Sequence, residues 1–84
     1  MSLTLSHNKL EYLTEELGKL VKLGSLDVSY NPLTRVPRLP PSIGLLGDLW
    51  DLNVKGLNLY DPPPNVLEKR TKAITGYLLS ILDE

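Results

Sequence analysis

The chain has 84 residues, is 42% hydrophobic and carries a formal net charge of -1, so it is one small unit with no general field drawing it to nucleic acid or an anionic membrane. It has no cysteine and one histidine, which excludes disulfide scaffolds, thiol chemistry and zinc sites and points to a reducing, cytoplasmic setting. No apolar run approaches the roughly 20 residues of a bilayer span, and no signal peptide precedes the first structural pattern.

From the start of the chain, Leu3, Leu5, Asn8, Leu10 and Leu13 recur 23 residues on as Leu26, Val28, Asn31, Leu33 and Val36, and Ser6 recurs as Ser29. A period of about 20 to 29 residues carrying L-x-L-x-x-N-x-L is the leucine-rich repeat, one short strand and a looser return segment per turn. The fold class is therefore α/β: a fragment of a right-handed solenoid with three short parallel strands and a C-terminal capping α-helix. The first repeat spans 3–24, with a strand predicted at Thr4 to Leu5 and Leu3 and Leu5 turned inward. Asn8 turns the chain, and its amide is expected to form a ladder with Asn31 by bonding backbone groups of neighbouring turns. Thr14 is the N-cap of a short return helix opened by Glu15 and Glu16. Leu17, Leu20 and Leu23 follow at steps of three, which suits one α or 3₁₀ turn. No polar cap comes before Leu3, so the pattern reads as part of a longer array whose N-terminal edge is open to self-association.

The second repeat spans 25–48, with a strand predicted at Ser25 to Val28. Beyond it the offset grows to 26, since Leu20, Leu23, Leu26 and Val28 recur as Leu46, Leu49, Leu52 and Val54. The three extra residues are expected between Val36 and Ile43, where Pro37, Pro40 and Pro41 impose an extended path with a helical turn only after Pro41. The third repeat, 49–60, is partial, with a strand at Asp51 to Asn53. Leu57 occupies the place of the ladder asparagine, with Asn58 one residue late, so the ladder ends there. Repeats thus occupy 1–60 and a cap occupies 61–84. In the cap, Ala73, Ile74, Tyr77, Leu78, Ile81 and Leu82 form one helical stripe, while Glu68, Lys69, Lys72, Asp83 and Glu84 fall towards the other side. The most buried positions are expected to be Leu5, Leu10, Leu17, Leu20, Leu26, Val28, Leu33, Leu49, Leu52, Leu59, Ile74 and Leu78.

No phosphate-loop motif occurs, His7 stands alone at an outward repeat position, and neighbouring Glu15 and Glu16 do not face one another. No catalytic residue, cofactor or metal site is predicted, and the fragment is not expected to be an enzyme. Lys69, Arg70 and Lys72 form a basic helix face. What remains is a surface. Ser25, Asp27 and Ser29, then Asp51, Asn53 and Lys55, with Thr4 and Ser6 before them, line the outer sheet face on which solenoids bind protein partners. Trp50 stands where the preceding repeat has Gly24, and is expected to fold under the C-terminal helix, with a binding anchor at the rim as the other role for such a ring.

Leu49-Trp50-Asp51-Leu52, Leu57 and Leu59, then Pro62-Pro63-Pro64, Val66-Leu67 and Thr71-Lys72-Ala73-Ile74 with Tyr77-Leu78 resemble the segment that ends the leucine-rich repeat domain of Roco proteins, including the leucine-rich repeat kinases. The resemblance implies a protein-interaction and scaffold element placed before a Roc GTPase module in an intracellular signalling protein that binds GTP and often carries a kinase. The proline pair and the Thr-Lys-Ala-Ile helix also resemble the ends of Ras-binding leucine-rich repeat adaptors, which have no enzymatic module. In the Roco pattern a glycine precedes Thr-Lys-Ala-Ile and permits a left-handed break between a short and a long helix. Here that position is Arg70, at which the break is nevertheless expected, with Thr71 as N-cap.

Overall fold

A computed structural model describes residues 1–82; Asp83 and Glu84, assigned by the pattern to the polar side of the last helix, lie outside the described residues. Three strands, β1 (Ser2–Thr4), β2 (Ser25–Asp27) and β3 (Asp51–Asn53), form one sheet in the order β1-β2-β3. Both pairs are parallel, with Leu3 opposite Leu26 and Leu26 opposite Leu52. The register therefore follows the two sequence offsets, 23 and then 26. The first strand lies at Ser2–Thr4 and not at Thr4 to Leu5, although Leu5 N–H still donates to Asp27 O at 2.7 Å. The second strand stops at Asp27, short of Val28, because the Asp27 carboxylate takes up the N–H of Ser29 and bends the chain.

A second layer packs against the sheet. It consists of two 3₁₀ turns, Glu15–Lys19 and Pro41–Leu45, and of a helix, α2 (Thr71–Leu82), preceded by the single-turn α1 (Pro64–Leu67). Thr14 caps the first 3₁₀ turn by accepting from Glu16 N–H. The three members lie side by side, and two glycines allow it. A Cβ at Gly18 would stand 2.5 Å from the Ser42 Cβ of the next turn, and one at Gly44 would stand 2.5 Å from the backbone nitrogen of Leu79. Gly18 and Gly44 are themselves 26 residues apart. Helix α2 thus occupies the place that a third return turn would take.

The core lies between the layers, and Leu17, Leu26, Val28, Leu33, Leu49, Leu52, Ile74 and Leu78 are buried in it as predicted. Leu5, Leu10, Leu20 and Leu59 are only half-buried. They belong to the first and third turns, each of which has a neighbouring turn on one side only. In their stead Leu13, Leu23, Leu39, Ile43 and Leu46 are buried.

Leu39 relocates the insertion. Leu39 is fully buried while Val36 is 40% exposed, so Leu39, 26 residues after Leu13, is the true counterpart of Leu13. The extra residues fall between Leu33 and Leu39, not after Val36. There Arg35 and Val36 N–H both turn back onto Glu11 O. Pro37 to Leu39 then runs extended beside Tyr60 and Asp61, with Tyr60 N–H on Pro37 O and Leu39 N–H on Asp61 O. The helical turn begins on Pro41 itself, which suits a first helical position because its missing N–H would have had no partner.

The cap is broken, as the sequence suggested, but by another device. Among the described residues the non-glycine positions with left-handed backbone are His7, Tyr30 and Leu33; Arg70 is not left-handed. Its carbonyl instead accepts from Ala73 and Ile74 N–H and so starts α2. The buried stripe is also turned. Ala73 and Leu82 are exposed, while Ile74, Thr75 and Leu78 are buried and Thr71 is half-buried. The close approach at Gly44 selects this line. Thr75 is tolerated there because its hydroxyl bonds Lys72 O at 3.2 Å.

Candidate functional site

The outer sheet face follows from strand alternation. Leu26 and Leu52 point into the core, so Ser25, Asp27, Asp51 and Asn53 point out. Together with Ser2 and Thr4 they line a shallow, open hollow over all three strands. Ser25 Oγ donates to Asp51 Oδ2 at 3.2 Å and ties β2 to β3. Asp27 Oδ1 accepts from both the hydroxyl (2.6 Å) and the N–H (3.0 Å) of Ser29. The Ser29 hydroxyl, then its N–H, hold the Asp27 carboxyl below the ordinary carboxylate range, with a smaller contribution from His7. Asn53 repeats the turn one repeat later, accepting from Lys55 N–H at 3.0 Å. In both turns a side-chain oxygen caps the N–H two residues on, which is how Asx turns end a strand.

Two sequence expectations change here. Ser29 is 2% exposed; its hydroxyl is spent on Asp27, so it supports the face without being part of it. Trp50 is 70% exposed and does not fold under α2. Its indole lies along Gly24, where a Cβ would stand 3.0 Å from Nε1. The bare glycine one repeat earlier supplies the shelf. Trp50 therefore sits at the rim where β3 begins, next to Asp51.

The asparagines differ. Asn31 is buried, and its Nδ2 donates to Val28 O and Ser29 O within its own turn and to Leu5 O of the turn before, while Oδ1 accepts from Leu10 N–H. Asn8 makes the corresponding own-turn bonds, to Leu5 O at 2.8 Å and Ser6 O at 3.4 Å, and is exposed. In the third turn Leu57 stands half-buried at this place.

A further column was not foreseen. His7, Tyr30 and Gly56, spaced by the same 23 and 26 residues, all have left-handed backbone, with φ of 56°, 56° and 74°. The His7 and Tyr30 rings stack at 4.6 Å, and the Tyr30 ring covers Gly56 so closely that no side chain would fit there. His7 is exposed but not isolated. The signal in the sequence was Gly56 itself, a glycine at a repeat position where the earlier turns carry rings.

Side-chain hydrogen bonds tie the cap to the rest of the fold. Thr71 Oγ1 does not cap its own helix; it accepts from Leu52 N–H of β3 at 3.0 Å. Lys72 Nζ donates to Gly47 O at 3.0 Å, and Lys69, Arg70 and Lys72 are all exposed. Tyr77 Oη donates to Asp61 Oδ1 at 2.6 Å, pinning the proline-rich segment to α2. Leu78 is buried, and Tyr77 and Ile81 are half-buried.

Among the described residues no cluster of three or more His, Cys, Asp or Glu is placed to hold a metal, and no helix is long and apolar enough to cross a membrane. No family model matches the chain. It is 37% identical over 83 residues, 95% of its length, to leucine-rich repeat serine/threonine-protein kinase 1 of Caenorhabditis elegans. It is 34% identical over 76 residues, 90% of its length, to the protein of the same name from Mus musculus. It spans 3% and 4% of the length of those two relatives, and a stretch of that share is a repeat region without catalytic machinery. Over nearly its whole length, then, the chain is homologous to a short leucine-rich repeat stretch of the Roco-type leucine-rich repeat kinases.

Proposed function

We propose that this chain is a protein-interaction and scaffold element, the last leucine-rich turns of an intracellular Roco-type signalling protein, set before a GTPase module. In this reading residues 1–60 are turns of a right-handed solenoid and 61–84 its cap, Asn8 and Asn31 belong to one asparagine ladder, and the parent acts in the cytoplasm. The observation that carries the proposal is the outer sheet face: Ser25, Asp27, Asp51 and Asn53 are small and polar, the first two half-exposed and the last two exposed, while the opposite face is filled with leucine. Short side chains let a partner approach the backbone of the sheet. Trp50 at the rim adds the kind of large, amphipathic ring that anchors interfaces.

The test has two arms. The natural sequence continuing past Glu84 should hold a strand followed by G-x-x-x-x-G-K-[ST]; an end with no such motif favours the adaptor reading instead. Proteins captured by the wild-type chain should be lost by a Trp50→Ala/Asp51→Arg/Asn53→Arg variant of unchanged melting temperature. Equal capture by both removes the sheet face from the proposal.

A further inference from the structure

The outer sheet face carries charge that the chain itself does not neutralise. Asp27 on β2 is half-exposed and Asp51 on β3 is exposed. Ser25 lies opposite Asp51, and Asp27 lies opposite Asn53. The two carboxylates therefore sit on a diagonal, one strand across and two residues along, about 8 Å apart at the backbone. Their hydrogen-bond donors are uncharged: Ser25 Oγ on Asp51, and the hydroxyl and N–H of Ser29 on Asp27. His7 adds a smaller pull on Asp27. Among the described residues no lysine or arginine pairs with either carboxylate, and the ion pair that does form, Lys19 with Glu16, lies in the other layer. Lys55, at the next outward position after Asn53, is exposed, and its N–H is what Asn53 binds. Exposed rings flank the pair along the strand direction. Trp50, 70% exposed, precedes Asp51, and Tyr30, 43% exposed and stacked on His7, follows Asp27. Carboxylates set between aromatic rings suit guanidinium and ammonium groups, which pair with the first and lie over the second. Both carboxylates stand on β2 and β3, so a further turn before β1 would lengthen this face and leave it uncovered.

We infer that the partner of this face is an extended, basic segment of another protein, which lays two alternate lysine or arginine side chains on Asp27 and Asp51. This rests on the reading of the sheet face as a docking surface and supplies the chemistry of its occupant. In an extended chain, residues two apart share a face and stand about 7 Å from each other, which matches the diagonal of the carboxylates. The short side chains of Ser25 and Asn53 leave room for the segment to cross β2 and β3. An acidic segment would meet two like charges. A purely apolar one would strip water from both carboxylates and give them no partner.

NMR titration of the 84-residue chain with a short glycine–serine peptide carrying two arginines at alternate positions tests this. Saturable shifts are expected at the amides of 25–29 and 51–55, and they should shrink as salt is raised. The same peptide with glutamates in place of the arginines should move none of them. Asp27→Asn/Asp51→Asn keeps an oxygen for Ser29 and for Ser25, and Asn53 already makes the Asp27 turn one repeat later. The fold should therefore stand while binding weakens about tenfold, as for the loss of two exposed ion pairs. Glu15→Gln/Glu16→Gln removes the same charge from the other layer and should bind as the wild type does. No shift on the face, shifts centred on Glu15 and Glu16 instead, or equal binding by Asp27→Asn/Asp51→Asn overturns the inference. Protein capture separates it from the reading beneath it. Capture lost by the Trp50→Ala/Asp51→Arg/Asn53→Arg chain but kept by Asp27→Asn/Asp51→Asn removes the basic partner and leaves the face as a docking surface. Capture kept by both removes the face as well.

Discussion

The second and third turns carry the same leucine frame yet satisfy their backbone in different ways. In the second, one buried carboxamide does the work: Asn31 bonds three carbonyls and one N–H and reaches back to the first turn. In the third the carboxamide is replaced by Leu57, and the helix bonds the backbone from outside, with Thr71 on Leu52 N–H and Lys72 on Gly47 O at the end of the second turn. The difference shows how a repeating structure stops. The side chain that would bond along the array is removed, and a helix whose first residues bond other backbone groups of the sheet and the return layer is laid in the next place.

The hydrophobic frame should give the largest contrast. Leu26 is 1% exposed between two neighbouring strands, so Leu26→Ala should cost about 2–5 kcal/mol in urea unfolding. Leu3→Ala, at the half-covered edge, should cost less than half of that; equal costs would mean the first turn is as well packed as the second. The asparagines come next. Asn31→Ala leaves the buried Val28 carbonyl and the Leu10 N–H short of a partner and should cost about 1–3 kcal/mol, whereas Asn8→Ala, which leaves Asn31 on the Leu5 carbonyl, should stay within about 0.5 kcal/mol.

At the third turn, Thr71→Val deletes the hydroxyl oxygen that accepts from β3 and keeps the shape. A loss of about 1 kcal/mol is expected, with faster amide exchange at Leu52. Unchanged exchange would show that the edge is guarded by packing alone. Arg70→Gly should destabilise by about 0.4–1 kcal/mol, because Arg70 has no left-handed strain to relieve and glycine adds freedom to the unfolded chain. A rise in melting temperature would restore the left-handed break. The smallest effect concerns Asp27. Its carboxyl titrates below the usual value of 3.8 in the folded chain. The resulting stabilisation is therefore present above that pH and is lost as the pH falls through the lowered folded value. Ser29→Ala should raise the Asp27 titration midpoint measured by NMR and weaken this acid dependence.

The register of the sheet was legible because two offsets, 23 and 26, are printed in the leucines. The place of the insertion was not: Val36 fits the first offset and Leu39 the second, and both are apolar. Only burial distinguishes them. The turning of the stripe on α2 was hidden because Gly44 selects the contact line through backbone proximity, which hydropathy does not record. Trp50 was misplaced for a related reason, since its resting place is defined by what Gly24 lacks. Of the proposed face, the alternation of Ser25, Asp27, Asp51 and Asn53 was readable; that Ser29 turns inward was not, because it depends on the hydrogen-bonding appetite of a neighbouring carboxylate.

The paired attachments at the start of α2 have a mechanical meaning. Thr71 grips the sheet and Lys72 grips the return layer, while Leu79 rests on Gly44 about two turns further along. A tug on the end of α2 is therefore opposed along the rod rather than at its tip. A pull along the helix axis loads the Thr71 and Lys72 bonds and the Gly44 contact together, in shear, and not one at a time as in peeling. Shear geometries resist far larger forces than peeling ones made of the same bonds, and the cap is thus built to transmit motion to both layers of the fold at once.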